Sequence, residues 1–144
     1  MPPIAYSTNI IPNILRKGDK IRIKGVLKDN AQEFSINFVN ELCKNPDFIT
    51  YHFKWLLDEQ VIVENYKDNG SWMDHMEQDY DSLDGQIFEL EFAFQDGVID
   101  VYKIYENAPN RITTYETYFD ISDIKGLQVW GDVKKISELT YKYA

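Results

Sequence analysis

The sequence is poor in cysteine and in long apolar runs. Cys43 is the single cysteine among 144 residues, so no intramolecular disulfide can form and folding does not depend on an oxidising compartment. The N-terminal residues contain no basic segment followed by an apolar one, and no apolar run approaches the length that spans a bilayer. These absences predict a soluble protein that is neither inserted into a membrane nor directed to the secretory pathway.

Basic residues are also scarce. The chain has 24 acidic and 15 basic residues, which gives a formal net charge of -9. Nucleic acids and anionic membranes attract positive surfaces, so this charge argues against both as partners and favours neutral or cationic ones. The basic stretch at residues 16–28 contains one acid, Asp19. We interpret it as a solvated strand face, with pairing to an acidic region of another subunit as the alternative.

Helical spacing of apolar residues is missing, whereas alternation with a period of two recurs along most of the chain. Hydrophobic residues make up 44% and aromatic residues 15% of the sequence, which favours a globular fold built from strands. Residues 41–47 and 119–125 are predicted to form a helical turn at most. Strands are predicted at residues 20–24, 33–39, 51–55, 87–94, 98–104, 127–130 and 133–141.

Many short strands without intervening helices are typical of one class of fold. The pattern predicts an all-β, antiparallel two-sheet β-sandwich. The sequence contains no linker, internal repeat or low-complexity tract. We therefore expect a single domain over residues 1–144.

Residues 61–72 combine an alternating strand, a tight-turn signal and a large aromatic. Asn69 and Gly70 tolerate the positive backbone dihedrals of a two-residue or bulged turn, so the segment is predicted to be a hairpin that presents Trp72. A similar signal at residues 96–97 predicts a second hairpin. A tryptophan beside polar strand residues offers a flat apolar surface, which suits the C–H face of a sugar ring.

Polar side chains on three predicted strands share one face if these strands are neighbours in one sheet. The alternate residues, such as Phe34 and Phe53, then point into the core. The polar set forms a groove that runs toward Trp72, a composition typical of a carbohydrate site. Its members are Glu33, Ser35 and Asn37 on one strand, His52, Lys54 and Leu56 on the next, and Val63 and Asn65 on the third.

Short segments along the chain occur in the order found in a known family: residues 11–18, 21–25, 34–38, 52–53, 62–65, 70–72, 85–90 and 131–133. On these segments the chain resembles a galectin carbohydrate-recognition domain over almost its whole length. The resemblance implies a concanavalin-like jelly roll that binds β-galactoside-containing glycans on its concave sheet, with no metal or cofactor. It also implies cytoplasmic synthesis, possible export without a signal peptide, and frequent homodimers.

The resemblance gives roles to three residues. His52 matches the family's histidine that hydrogen-bonds the axial hydroxyl of galactose. Asn65 matches the asparagine at the exocyclic hydroxyl, and Trp72 matches the stacking tryptophan. Three further residues of the same predicted face are included as candidate contacts: Ser35, Asn37 and Val63.

Four other contact positions depart from the family pattern. Lys54 and Leu56 stand where the family has Asn and Arg after the histidine, and His75 and Glu77 stand where it has Glu and Arg after the tryptophan. Losing one bidentate, charge-assisted arginine bond costs about 1.5–3 kcal/mol, so we expect atypical specificity. Lys54, as a point charge, favours an anionic sugar, whereas Glu77 also fits a solvated acidic loop.

Two functions are consistent with these residues. The first is a non-enzymatic lectin for β-galactoside-type or related glycans. The second is a galectin-fold protein that has lost sugar binding and acts as a protein-protein interaction module. A glycosidase that pairs Glu77 with Glu33 or Asp74 is disfavoured, because the sequence shows no apolar pocket that would raise the pKa of one carboxyl. A calcium site at residues 74–84 lacks the required glycine and terminal glutamate.

Overall fold

The computed structural model describes residues 4–10, 14–80, 83 and 85–144. Within these residues the one helical element is a 3₁₀ turn, Ile121–Asp123, and none is a helix long and apolar enough to cross a membrane. The strands, in chain order, are β1 (Ile4–Asn9), β2 (Lys20–Leu27), β3 (Glu33–Val39), β4 (Ile49–Leu56), β5 (Val61–Asp68), β6 (Ser71–Trp72), β7 (Met76–Asp79), β8 (Ile87–Gln95), β9 (Val98–Tyr105), β10 (Ala108–Glu116), β11 (Gly126–Gly131) and β12 (Val133–Lys142).

The strands form two antiparallel sheets. A seven-stranded sheet has the order β1-β11-β3-β4-β5-β6, with β7 also paired to β5, and a five-stranded sheet has the order β10-β9-β8-β2-β12. This arrangement confirms the predicted all-β sandwich. It also makes β3, β4 and β5 direct neighbours, which is the condition on which the predicted groove depended.

Aromatic side chains from both sheets fill the space between them. The ring of Phe34 stacks on that of Phe88 with centroids 4.6 Å apart, and Phe38 meets Phe92 edge-on at 4.9 Å. Each buried side chain of this kind stabilises the fold by about 1.5–3 kcal/mol. Because side chains alternate along a strand, burying Phe34 and Phe38 leaves the intervening polar residues of β3 on the opposite, concave face.

A buried carboxylate links the two sheets at one side of the sandwich. Glu64 on β5 is 5% exposed and accepts hydrogen bonds from the hydroxyls of Tyr51 on β4 and Thr113 on β10. Burial raises the pKa of the Glu64 carboxyl, and the two hydroxyls oppose that rise. Since β10 belongs to the five-stranded sheet, this carboxylate connects both layers.

Arg22, in the basic stretch of β2, is paired within its own sheet. Arg22 lies 3.1 Å from a carboxylate oxygen of Glu91 and 3.7 Å from one of Glu89, both on the neighbouring strand β8. Lys142 on β12 lies 3.8 Å from Glu91. The basic residues of β2 are exposed or half-buried, as expected for a solvated strand face, and Arg22 is paired inside the chain.

Several sequence predictions were incomplete. The predicted strands omit β1, β7 and β10, and β2 continues through Gly25 to Leu27. Residues 119–125 contain the 3₁₀ turn, whereas residues 41–47 form a non-helical loop. Residues 11–13, which begin one galectin-like segment, and Asp81 and Asp84 of the acidic run lie outside the described residues.

Candidate functional site

The register of the central strands aligns the predicted polar residues in rows across the concave face. One row pairs Ser35 with Lys54 and Lys54 with Val63. The next pairs Asn37 with His52 and His52 with Asn65. The shared face was predicted from the period-two pattern, and the register confirms that these residues lie side by side.

The hairpin of β5 and β6 presents Trp72 as predicted. Asn69 and Gly70 have φ values of 50° and 83°, which are the positive values required by a two-residue turn of the type that matches strand twist. Lys67 pairs with Trp72 across the hairpin, and its ammonium lies 5.3 Å from the centroid of the indole ring. Trp72 is 47% exposed, so much of its ring is open to a ligand.

His52 is held in one orientation and one tautomer. Its Nδ1 lies 2.6 Å from Oδ1 of Asn37. An amide oxygen only accepts hydrogen bonds, so Nδ1–H is the donor and Nε2 of the neutral ring is an acceptor. Burial lowers the pKa of His52 to about 3, with the nearby charges of Lys54, His75 and Lys67 adding to the effect. Its ring centroid lies 4.6 Å from that of Trp72.

A cleft of about 190 Å³ occupies this part of the concave face. Ser35, Asn37, His52, Lys54 and Trp72, all predicted site residues, line it. Other residues of its wall and floor were not predicted from the sequence, because their place in the cleft depends on the order of the strands in the sheet. These are Lys44, Asn45, Pro46, Ile49, Lys67, Gln128 and Trp130.

Gln128 and Trp130 enter the cleft because β11 pairs with β3. Gln128 stands opposite Asn37, and Trp130 stands opposite Ser35. The indole N–H of Trp130 donates to Oε1 of Gln128 at 3.1 Å, and Nε2 of Gln128 donates to the carbonyl of Cys43 at 2.8 Å. At 9% exposure, Trp130 forms part of the cleft floor.

The loop at residues 40–48 forms one wall of the cleft and is fixed by internal bonds. The Glu41 carboxylate accepts the backbone N–H of Asp47 at 2.6 Å and that of Phe48 at 3.2 Å. The backbone N–H of Gly70 donates to the carbonyl of Asp47 at 2.9 Å. The loop is therefore tied to the hairpin that carries Trp72.

Asn65 does not line the cleft, although it lies beside His52 in the sheet. Its Oδ1 accepts the backbone N–H groups of Tyr66 at 2.8 Å and Asp74 at 2.7 Å, and the residue is 5% exposed. Its carboxamide oxygen therefore fixes the hairpin and the chain that follows it. Val63 is also 5% exposed and lies outside the cleft.

The remaining predicted site residues lie further out. His75 Nε2 is 3.2 Å from Oε1 of Glu77, and both side chains are more than half exposed. Glu77 on β7 stands opposite Val63, outside the cleft. Lys54 does line the cleft, but its ammonium lies 3.4 Å from Glu33 Oε2. Leu56 pairs with Glu33 and lies on the concave face.

Two carboxylates of the concave face each contact a basic side chain. Glu33 contacts Lys54, and Glu77 contacts His75. Glu64, whose pKa is raised by burial, accepts hydrogen bonds from both sheets in the interior instead of facing the cleft. Across the described portion of the chain, no three metal-ligating side chains cluster in a way that could hold an ion.

A family profile and two known proteins with similar sequences point to one family. The sequence profile of the galactoside-binding lectin family matches residues 6–141. Galactose-binding lectin l-1 of Anguilla japonica is 23% identical over 90 residues, which cover 62% of this chain and 63% of that protein. Galectin-7 of Homo sapiens is 34% identical over 62 residues, which cover 43% of this chain and 45% of that protein. The chain thus spans less than two thirds of the length of these curated relatives.

Solved structures of galectins share the fold. Sheep galectin-11 in complex with glycerol superposes with a TM-score of 0.81 at 20% identity, covering 97% of this chain and 98% of that chain. Caenorhabditis elegans galectin LEC-6 has a TM-score of 0.77 at 19% identity, covering 99% and 96%. At such identities the structures show the fold, and the profile extends over nearly the whole sequence. This chain belongs to the galactoside-binding lectin family, the galectins.

Proposed function

We propose that this chain is a non-enzymatic lectin that binds β-galactoside-type or related glycans in the cleft of its concave sheet. The single observation that carries the proposal is the fixed, neutral His52 beside the half-exposed indole of Trp72. The Nδ1–H of His52 is bonded to Asn37, so its Nε2 is the group available to accept a hydrogen bond from a sugar hydroxyl. Trp72 supplies an apolar surface for the C–H face of the ring.

Atypical specificity follows from the altered contacts. A galactoside-binding site of the usual family pattern has an arginine where this chain has Leu56, which cannot donate a hydrogen bond. Lys54 is close by, but it contacts Glu33 at 3.4 Å. We therefore expect weaker binding of a simple galactoside than the family pattern would give, by about one to two decades for each lost charge-assisted bond.

The alternative function is a protein-protein interaction module on the same fold, without sugar binding. One observation favours it: the outer polar groups of the concave face are already paired within the chain. Asn65 bonds two backbone N–H groups, and His75 pairs with Glu77. A groove with fewer free polar groups can form fewer hydrogen bonds with sugar hydroxyls. Homodimer formation and cytoplasmic synthesis with export lacking a signal peptide remain predictions from the family, and a single domain over residues 1–144 remains a prediction from the sequence.

Calorimetric titration with lactose, preceded by a glycan array, tests the lectin proposal. We expect measurable binding by the wild-type chain and a loss of about tenfold or more in Trp72→Ala, because a stacking aromatic is removed. Tyr105→Ala is the matched control, since Tyr105 is a 63% exposed aromatic on β9 of the other sheet.

The outcomes separate the two functions. A blank array at high protein concentration contradicts the lectin proposal and favours the interaction module. Binding that survives Trp72→Ala unchanged supports a lectin but rejects this cleft as its site. Release of free sugar from a galactoside substrate would overturn the non-enzymatic part of the proposal.

A further inference from the structure

We infer that the cleft selects glycans that carry an anionic group, such as a sulfate or carboxylate, and that this group is received between Lys44 and Lys67. The inference rests on the proposed lectin function and adds the chemical class of its ligand. It differs from the sequence-based expectation, which placed the anion preference on Lys54.

The charge of the cleft is opposite to that of the whole chain. The chain has a formal net charge of -9. The cleft is nevertheless lined by three lysines, Lys44, Lys54 and Lys67, and by one acid, Glu33. His52 adds no charge, because its lowered pKa keeps the ring neutral. Charges that converge in a cleft raise the local concentration of counter-ions, so this cleft attracts anions although the chain as a whole is negatively charged.

Glu33 neutralises one of the three lysines. Its carboxylate lies 3.4 Å from the ammonium of Lys54. Lys44 and Lys67 have no ion pair with any residue in the described ranges. Lys67 instead lies over the Trp72 ring, with its nitrogen 5.3 Å from the ring centroid. Two positive charges in the cleft are therefore free to meet a ligand.

The two free lysines belong to the same end of the cleft. Lys67 stands opposite Ile49 at the start of β4 and opposite Trp72. Lys44 is carried by the loop that precedes β4, and its carbonyl accepts Nε2 of Gln128 at 3.3 Å. The bond from Gly70 to Asp47 joins that loop to the hairpin carrying Lys67. An acidic substituent on a sugar stacked at Trp72 thus has a defined place to bind.

The acids of the loop do not cancel this charge. The Glu41 carboxylate accepts two backbone N–H groups and does not line the cleft. The Asp47 carboxylate also lies outside the cleft lining. It faces Gly70 instead, with its Oδ1 3.3 Å from the position that a Cβ on this glycine would take. Neither acid competes with a ligand inside the cleft.

The test compares lactose with lactose 3′-sulfate in the wild-type chain and in the double variant Lys44→Gln, Lys67→Gln. One partly exposed ion pair changes affinity by about two- to fivefold, so two pairs predict about four- to twenty-fivefold tighter binding of the sulfated sugar. In the double variant we expect the two affinities to become equal. Lys134→Gln, an exposed lysine on β12 of the other sheet, should keep the wild-type ratio.

Each result decides between the inference and the function beneath it. Tighter binding of lactose 3′-sulfate than of lactose, lost only in the double variant, supports the inference. Equal affinities in the wild-type chain overturn the anion preference and leave the lectin proposal intact. If the double variant still binds the sulfated sugar more tightly, the assignment of the anion site to Lys44 and Lys67 is overturned. No binding of either sugar overturns the lectin proposal and this inference together.

Discussion

The two halves of the concave sheet use similar residues in different ways. On the half formed by β11, β3 and β4, the bonds between polar side chains leave ligand-binding atoms available, as the Asn37–His52 pair does for Nε2. On the part of the sheet beyond the cleft, Asn65 of β5 bonds backbone groups and His75 pairs with Glu77 of β7. We call these the cleft half and the outer half.

The difference shows that a polar residue on the correct face is not enough to make a binding contact. A donor or acceptor serves a ligand only if the protein has not already used it, because displacing an internal hydrogen bond returns little net free energy. Asn37 and Asn65 are both about 5–6% exposed, and both carry a carboxamide. Asn37 orients His52, the group proposed to meet the ligand, whereas Asn65 stabilises the hairpin.

The largest expected effect comes from exchanging the two histidines for alanine, one at a time. His52→Ala removes the fixed acceptor from the cleft half, and we expect the affinity for lactose or its sulfate to fall by about one to two decades. His75→Ala removes an exposed group from the outer half, and we expect a change of less than about twofold. Titration calorimetry measures both.

Circular dichroism of both histidine variants serves as the folding control. A larger loss in His75→Ala than in His52→Ala would reverse the assignment of the two halves. It would place the ligand over β7 instead of over β3 and β4.

A smaller effect, on stability instead of affinity, is expected from Asn65→Ala. The change leaves the backbone N–H groups of Tyr66 and Asp74 without their acceptor, so we expect the free energy of unfolding to fall by about 1–3 kcal/mol. Urea unfolding measures this loss. Asn110→Ala, on exposed backbone of β10, should stay within about 0.5 kcal/mol of wild type.

Sugar affinity of folded Asn65→Ala sharpens the result. Affinity within about threefold of wild type fits an asparagine that acts on the hairpin alone. A loss as large as that of His52→Ala, without a loss of stability, would show that Asn65 contacts the ligand directly.

The smallest expected effect is that of pH on affinity. The pKa of His52 is lowered to about 3, so its Nε2 stays an acceptor from pH 7 down to pH 5, and affinity should change by less than about twofold. An imidazole with an ordinary pKa of about 6.5 would lose about thirtyfold in acceptor population at pH 5. A fall of that size in titrations at the two pH values would contradict a ring that stays neutral.

Stability should respond to pH although affinity does not. As pH falls below about 6.5, the unfolded chain protonates His52 while the folded chain does not until about pH 3, so the free energy of unfolding decreases across that window. Glu64 acts in the opposite sense. Its pKa is raised in the folded chain, so its contribution favours folding at low pH and is lost as pH rises through the folded pKa.

Much of the sheet structure is predictable from local pattern. Alternation places Phe34, Phe38 and Phe53 in the core, and Asn69 with Gly70 defines the hairpin turn, because both signals act between near neighbours in the sequence. Strand β10 was not predicted from local pattern. It contains Pro109, and it is joined to β9 by a turn at Glu106 and Asn107, which both have positive φ without the usual glycine. An edge strand tolerates such a proline.

The candidate site is less predictable because it depends on contacts between distant segments. Gln128 and Trp130 reach the cleft only because β11 pairs with β3, and the sequence contains no local sign of that pairing. Asn65 was expected on the correct face, yet its commitment to Asp74 depends on how the chain folds back after Trp72. Periodicity predicts the face of the sheet on which a residue lies. Whether its polar atoms are available to a ligand depends on the hydrogen bonds of the whole fold.

The carboxylate of Glu41 bears on the thermodynamics of binding. Because it fixes the loop at residues 40–48, and Asp47 ties that loop to Gly70, the cleft wall is ordered before a ligand arrives. Ordering a flexible residue costs about 1–2 kcal/mol of conformational entropy, and a rigid wall avoids that cost at the moment of association. A cleft whose wall is already ordered therefore loses less of its contact energy when a ligand binds.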